Sequence, residues 1–195
     1  MGVTGEPLAP EDYFTEALRV LGEHGREGLT IATLCHRLRV TKGSFYHHFG
    51  AMPAFVDALI EFWETDQNAR LAATPRPEGR PVDQLESLVD AALDLPHGTE
   101  AAIRGWGASR ADIEAAQTRV DRRRERRAAD TLVGLGLERD DARRLARLAM
   151  NTLIGAQQRE EALDRRRLRI VLDELARLVL RDVPRGAARA PGRRR

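Results

Sequence analysis

The stretch that decides the fold is residues 34–49, which reads Leu34-Cys35-His36-Arg37-Leu38-Arg39-Val40-Thr41-Lys42-Gly43-Ser44-Phe45-Tyr46-His47-His48-Phe49. Its apolar residues recur at helical spacing on both sides of a short interruption at Arg39 and Val40. A threonine precedes each run, Thr30 upstream and Thr41 within the stretch, and threonine is a frequent helix N-cap. The pattern predicts two short helices joined by a tight turn, which is a helix-turn-helix.

The second of these helices carries small or hydrogen-bonding groups on the side that Phe45 and Phe49 leave free. Glycine at position 43 costs ~1 kcal/mol of helix propensity relative to alanine, a loss that is tolerable where a side chain would block close approach of DNA. The start of the helix also offers N–H groups and a positive dipole end to a phosphate. Such a surface is typical of a recognition helix in a DNA major groove. Its residues are Lys42, Gly43, Ser44, Tyr46 and His47.

Charge is distributed unevenly along the 195 residues, although 32 Lys and Arg nearly balance 30 Asp and Glu. Residues 1–27 contain two arginines and six acids, whereas residues 28–52 contain three cations and no acid. A short basic window beside an acidic one indicates a local binding surface for a polyanion, with chance clustering as the alternative. Lys42 is the only lysine of the chain, so the other 31 basic residues are arginines.

The rest of the chain also shows helical periodicity. An amphipathic helix is predicted over Glu11–Gly25, and a longer one begins with Pro53 in its first turn. No alternating strand pattern or internal repeat is present, so the chain is predicted to be all-α. Eight of its nine aromatic residues lie between Tyr13 and Trp63, which predicts an aromatic first part and an aliphatic remainder. The further helices are predicted at about residues 85–93, 101–106, 112–132, 139–158 and 168–181.

Several classes of protein are disfavoured by the sequence. No stretch approaches the ~18 uninterrupted apolar residues of a membrane-spanning helix. The N-terminus has no basic leader followed by an apolar core, so a cytoplasmic protein is expected. A single cysteine, Cys35, excludes an internal disulfide, and adjacent His47 and His48 cannot both face one ion on a regular helix. We find no catalytic constellation or phosphate-binding glycine loop, and therefore expect neither an enzyme nor a cofactor.

Residues 34–49 resemble the DNA-binding signature of TetR-family transcriptional regulators. The resemblance covers about a third of the chain when the first helix and the start of the fourth are included. It implies a homodimer on a double-stranded DNA operator, with an N-terminal three-helix DNA-binding domain and a C-terminal helical domain for ligand binding and dimerisation. It also implies that DNA is contacted by Thr30, Thr41, Lys42, Ser44, Tyr46 and His47.

The resemblance suggests a division of the chain at residue 52. Residues 10–52 are predicted to be the helix-turn-helix domain, and residues 53–182 the ligand-binding and dimerisation domain. Residues 1–9 are predicted to be a flexible N-terminus. Residues 183–195, with five arginines and no acid, are predicted to be a disordered basic tail.

Two positions depart from the family pattern. The family often has glycine where Arg39 stands in the turn, and a left-handed backbone there strains any other residue. The guanidinium of Arg39 could offset that strain by reaching a DNA phosphate. The family also commonly has lysine where Met52 stands, so one phosphate contact is expected to be missing.

The helices after Pro53 are predicted to contain the effector site and the dimer interface. The candidate ligand-binding residues are Trp63, Gln67, Trp106 and Asn151. Because only Trp106 is aromatic beyond residue 63, a mostly aliphatic pocket for a lipophilic effector is expected. The last two helices have broad apolar faces with small residues at Ala149, Gly155 and Ala156, which favours a dimer interface.

The sequence thus predicts a ligand-responsive, homodimeric DNA-binding regulator, most simply a repressor acting on a palindromic operator. The alternative is a helical module that binds a small molecule or a protein and retains a vestigial helix-turn-helix. Arg39 and Met52 are the features that support this alternative.

Overall fold

The computed structural model describes residues 8–73, 78–159 and 163–184. Within these ranges the chain forms nine α-helices and no strand, which confirms the predicted all-α class. None of these helices is long and apolar enough to cross a membrane. Most of the predicted flexible N-terminus and basic tail, residues 1–7 and 185–195, lies outside the described residues. The helices are α1 (Pro10–Gly28), α2 (Ile31–Leu38), α3 (Lys42–Phe49), α4 (Met52–Ala73), α5 (Pro81–Leu93), α6 (His97–Gly107), α7 (Ala111–Gly134), α8 (Arg139–Arg159) and α9 (Arg165–Asp182).

The helices fall into two compact units that do not follow chain order. The first comprises residues up to 69 together with 96–118, and the second comprises residues 70–95 together with those from 119 onward. Helix α6 therefore belongs to the same unit as α1–α3. These units are defined by packing and do not test the predicted functions. The assignment of residues 10–52 to DNA binding and of residues 53–182 to ligand binding and dimerisation therefore stays a prediction.

The first unit is built around aromatic rings. Phe45 of α3 is fully buried, and its ring centroid lies 5.2 Å from that of Phe55 on α4. Phe14 of α1 stacks on Phe55 at 5.6 Å, and Phe49 meets Phe55 edge-on at 4.8 Å. Such pairs contribute about 0.5–1.5 kcal/mol each beyond the area they bury. The predicted inward orientation of Phe45 and Phe49 is thus what joins α3 to α1 and α4.

Helix α6 crosses α1 at a contact between two glycines. A Cβ placed on Gly98 would lie 2.6 Å from the carbonyl oxygen of Gly22, closer than real Cβ atoms approach backbone. Beside this crossing, Thr99 Oγ1 donates to the carbonyl oxygen of Leu18 at 2.9 Å. The sequence predicts a short piece at 101–106, whereas α6 begins at His97. Packing against α1 thus stabilises a first turn that contains a poor helix former, Gly98.

Helix ends differ from the predicted ones by a few residues elsewhere too. The predicted end of α1, Gly25, has φ +62° and marks a break, but helical geometry resumes as far as Gly28. Helix α9 begins at Arg165, three residues before the predicted Leu168, because Asp164 caps it. The Oδ1 atom of Asp164 accepts from the backbone N–H groups of Arg166 at 2.9 Å and Arg167 at 3.1 Å.

The turn between α2 and α3 is left-handed at Arg39. Its φ of 58° and ψ of 40° make it the one non-glycine residue with positive φ in the described chain. The backbone N–H of Val40 donates to the Cys35 carbonyl at 2.9 Å, as in a Schellman C-cap. The sequence analysis predicts strain at Arg39 if its backbone is left-handed, and the backbone is left-handed. Such a conformation costs a residue with a Cβ ~1–2 kcal/mol.

The second unit has an aliphatic core, as the aromatic distribution predicts. Its helices α5, α7, α8 and α9 bury two leucine-rich clusters, one around Leu85 and Leu132 and the other around Val89 and Leu172. Ion pairs at the surface connect the same helices. Arg165 and Arg169 of α9 bind the carboxylates of Asp94 and Asp90, respectively. Exposed pairs of this kind contribute little, so the apolar clusters hold the unit together.

The Gly22–Gly98 crossing predicts that Gly98→Ala is destabilising. The added methyl must displace the backbone of α1, which costs about 1–3 kcal/mol of the free energy of unfolding. Gly105→Ala on the same helix is the matched control, because its Cβ would meet nothing within 4 Å. That control is expected to stabilise by up to ~1 kcal/mol through helix propensity. Urea denaturation measures both, and equal effects would contradict a tight crossing.

The left-handed turn predicts that Arg39→Gly is more stable than Arg39→Ala by about 1 kcal/mol. Both variants remove the guanidinium, but only glycine adopts positive φ without steric cost. Part of the gain is offset because glycine increases the entropy of the unfolded chain. Thermal and urea unfolding of the two variants side by side provide the measurement, and an alanine variant as stable as the glycine variant would show that the turn is unstrained.

Candidate functional site

Two threonine hydroxyls begin the helices of the helix-turn-helix. Thr41 Oγ1 accepts from the backbone N–H of Ser44 at 3.3 Å, and Thr30 Oγ1 accepts from that of Thr33 at 3.0 Å. Both threonines are exposed, so each capping hydroxyl can still meet a ligand from outside. The predicted N-caps are present, and they place two hydroxyl groups at the entrances of α2 and α3.

The outward side of α3 forms a continuous exposed surface opposite Phe45. Lys42, Gly43 and His47 are exposed, and 51% of the surface of Tyr46 is accessible. A Cβ on Gly43 would meet only Thr41 Oγ1 at 3.5 Å, an ordinary contact. Nothing among the described residues therefore requires glycine at this position. This is what is expected of a helix that a bulky partner approaches closely.

Arg37 does not belong to that surface, although the charge count places it in the basic window. Its Nε donates to Glu16 Oε1 at 2.5 Å and its Nη1 to Glu23 Oε2 at 2.7 Å, so it connects α2 to α1. The hydrogen bond to Glu23, followed in size by the one to Glu16, raises the pKa of Arg37. The Arg37–Glu23 hydrogen bond also lowers the pKa of Glu23. The excess positive charge of α2 and α3 is therefore smaller than the sequence suggests.

Arg39 and Lys42 are the two cations that remain available. Both are exposed, and neither forms an ion pair with any of the described residues. They flank Thr41, one in the turn and one in the first turn of α3. A polyanion that approached the start of α3 would meet both charges together with the positive end of the helix dipole.

The cysteine and histidines near the turn do not form a metal site. Cys35 is buried, and its thiol donates to the Thr41 carbonyl at 3.6 Å. Burial raises the pKa of this thiol, with Lys42 opposing the shift. In the ranges that the structure describes, no group of three or more His, Cys, Asp or Glu side chains could hold a metal ion.

Ser44 differs from the other predicted DNA contacts because it is half-buried. Its Oγ lies 2.7 Å from the phenol oxygen of Tyr13 on α1, a residue with no exposed surface. The Tyr13 ring also packs against Phe45, His48 and Phe49. The sequence reasoning missed Tyr13 because its position on the inner face of α1 indicates only a core residue.

The four candidate ligand-binding residues are not all in one place. Trp63 and Gln67 are buried one turn apart on α4, and Trp106 is buried on α6 of the same unit. Asn151 lies on α8 in the second unit and is exposed. The indole N–H of Trp63 finds no acceptor among the described residues. A buried donor of this kind costs ~1–3 kcal/mol when unsatisfied, which makes Trp63 the strongest of the four candidates.

Two of the buried polar residues that the sequence analysis did not single out form a pair between α6 and α7. Glu100 of α6 is fully buried, and Gln117 of α7 is nearly so, with its Nε2 donating to Glu100 Oε2 at 3.4 Å. Glu100 lies in the first turn of a helix, where acids are usually exposed, so its position gave no signal. Gln117 has flanking apolar residues at Ile113, Ala116 and Val120, a pattern that could have revealed it as an inward polar position.

Comparison with known proteins agrees with the geometry of α1–α3. A family model described as "Bacterial regulatory proteins, tetR family" matches residues 14–59, which span most of α1, all of α2 and α3 and the start of α4. A search of curated proteins finds no match.

Solved structures share the fold over nearly the whole chain. A transcriptional regulator from Rhodococcus sp. is 21% identical with a TM-score of 0.72, over 89% of this chain and 97% of that one. A TetR-family regulator from Streptomyces coelicolor is 15% identical with a TM-score of 0.70, over 89% and 94%. A TetR regulator from Legionella pneumophila is 12% identical with a TM-score of 0.69, over 94% and 100%. Residues 14–59 thus match the tetR family model, and the described helices share their fold with solved structures described as TetR-family transcriptional regulators.

Proposed function

We propose that the protein is a ligand-responsive, sequence-specific repressor that acts in the cytoplasm as a homodimer on a palindromic operator. The observation that carries this proposal is the outward side of α3, where exposed hydrogen-bonding groups adjoin the unpaired cations Arg39 and Lys42. Gly43, a glycine that no internal packing requires, is part of that surface. Together these features suit a helix that enters the major groove.

We divide the proposed contacts into those that position the protein on DNA phosphates and those that recognise bases. Arg39 and Lys42 supply charge to phosphates, and the hydroxyls of Thr30 and Thr41 supply hydrogen bonds at the helix starts. Tyr46 presents its phenol to a phosphate. Ser44 and His47 lie on the recognition helix and Gly43 lets its backbone come close, so we assign base contacts to this part of the surface.

Dimerisation through α8 and α9 is supported by apolar side chains that the described chain leaves exposed. Ile170 is 59% exposed, and Val171, Leu178 and Leu148 are each more than two-fifths exposed. On α8 a Cβ added at Gly155 would meet nothing within 4 Å, so a partner helix has room to approach. These features fit two copies of the pair α8–α9 packing as a four-helix interface.

The response to an effector is supported by buried polar groups in the first unit. Trp63, Gln67, Glu100 and Gln117 are buried there, and the Trp63 N–H has no acceptor among the described residues. A ligand of largely apolar body with at least one hydrogen-bond acceptor would suit this set better than a pure hydrocarbon. Asn151, exposed on α8, has no such support.

Contacts within the same unit support a route from these buried groups to α3. Glu100 lies on α6, and α6 contacts α1 through the Gly22–Gly98 crossing and the Thr99–Leu18 hydrogen bond. A shift of α6 would therefore move α1 as a body, and with it α3, which α1 holds. In a dimer such a shift changes the separation of the two recognition helices, which favours a form that no longer fits the operator.

Selection of binding sites from random double-stranded DNA tests the proposal. The wild-type protein should enrich a palindrome whose half-sites are centred about one helical turn, ~34–36 Å, apart. Lys42→Gln should weaken binding and reduce the slope of log affinity against log salt by about one. Arg19→Gln, which also removes one exposed arginine of the first unit, should leave both unchanged.

Recovery of no enriched sequence at physiological salt would refute the proposed DNA-binding role. It would favour instead the helical binding module with a vestigial helix-turn-helix. An enriched sequence without two-fold symmetry would contradict the homodimer part alone.

The proposed interface predicts that Ile170→Glu separates the dimer. A two-fold interface contains the substitution twice, so the dissociation constant should rise about 100-fold or more. Val82→Glu on α5 is the matched control, because Val82 is 44% exposed in the same unit but lies outside α8 and α9. Sedimentation equilibrium gives the dissociation constants, and a dimer that tolerates the change at position 170 but not at 82 would place the interface elsewhere.

A further inference from the structure

We propose that Tyr13, which cannot itself reach DNA, is a positioning residue that makes Ser44 a hydrogen-bond donor toward DNA. This inference rests on the proposed DNA-binding role of α3. Its starting point is the 2.7 Å contact between the Tyr13 phenol oxygen and Ser44 Oγ, in which either atom could donate.

Burial decides the direction of that hydrogen bond. Tyr13 has no exposed surface, and Ser44 Oγ is the partner of its phenol among the described residues. If Ser44 donated, the Tyr13 proton would be left buried without an acceptor, which is unfavourable. The favourable arrangement has Tyr13 donating to Ser44 Oγ.

The Ser44 proton then has to point away from Tyr13. A hydroxyl has one proton to donate, and this one is not used toward Tyr13. Ser44 is half-buried on α3 between exposed Gly43 and the buried ring of Phe45, so its accessible side is the outward one. The hydroxyl therefore meets DNA as a donor with one lone pair already occupied.

A donor restricts what Ser44 can contact. On DNA it pairs with acceptors, namely a phosphate oxygen or, in the major groove, purine N7, guanine O6 or thymine O4. An amino group at adenine N6 or cytosine N4 could pair only with the remaining lone pair of Ser44 Oγ, which would leave the Ser44 proton without an acceptor. Through the Tyr13–Ser44 hydrogen bond, α1 thus limits the DNA atoms with which Ser44 can pair.

The Tyr13 ring also limits where the hydroxyl can be. It contacts the rings of Phe45 at 6.2 Å and Phe49 at 5.3 Å, both on α3, and so is fixed relative to that helix. Tyr13→Phe keeps these ring contacts and removes only the hydroxyl. It is therefore the variant that separates the hydrogen bond from core packing.

The test is a double-mutant cycle on the operator that the wild-type protein selects. Tyr13→Phe and Ser44→Ala should each weaken operator binding about three- to tenfold, the range expected for one hydrogen bond. The double variant should bind no more weakly than Ser44→Ala, because Tyr13 acts only through Ser44. Urea unfolding of each variant confirms that the folded protein is being titrated.

Repeating the site selection with Tyr13→Phe identifies which acceptor Ser44 uses. Relaxed preference at one position of each half-site, with adenine or cytosine amino groups now tolerated, identifies a base. A uniform loss of affinity over all sequences identifies a phosphate oxygen. Both outcomes support the donor role.

The inference is overturned if Tyr13→Phe binds the operator as tightly as wild type, or if the two substitutions multiply in the double variant. It is also overturned if Ser44→Ala binds as tightly as wild type while Lys42→Gln is weakened; the DNA-binding role would then stand. Failure of the wild-type protein itself to select any sequence would instead refute the proposed function.

Discussion

The burial of Phe45 is the contact on which the first compact unit of the molecule depends. Helix α3 has eight residues, fewer than the ~12–15 that an isolated helix needs to be even marginally stable in water. It persists because Phe45 and Phe49 enter the aromatic core formed with Phe14 and Phe55. Because the side of α3 with Phe45 and Phe49 packs into this core, the exposed side does not have to stabilise the helix. It can therefore include a residue of low helix propensity, Gly43.

Arginine has two different uses in this chain. Arg37 is directed inward to Glu16 and Glu23 and holds α2 on α1, whereas Arg39 is accommodated in a left-handed turn with its charge unpaired. Many of the remaining arginines pair with acids across helices or within them, as Arg147 does with Glu125. The small net charge of the chain is thus the sum of an acidic excess in residues 1–27, basic excesses in residues 28–52 and 183–195, and near balance in between.

The two compact units are stabilised by different means. In the first, large rings and a glycine crossing bring α1, α3, α4 and α6 close together, so the geometry tolerates little change in volume. In the second, leucine and alanine side chains fill the space between α5, α7, α8 and α9. The first unit contains α3 as well as the buried polar groups of Glu100 and Gln117. A ligand bound among those groups would contact the same compact unit that holds α3.

The sequence by itself determined the all-α class, the two threonine caps, the inward phenylalanines and the outward face of α3, because these follow from local periodicity and capping chemistry. Tertiary structure decided the rest. It paired Arg37 with α1, started α6 early at the Gly22–Gly98 crossing, buried Glu100 and joined Tyr13 to Ser44. Each of these joins residues far apart in the chain, or buries a polar group against them, and periodicity within one helix contains no information about which distant partner a side chain will meet.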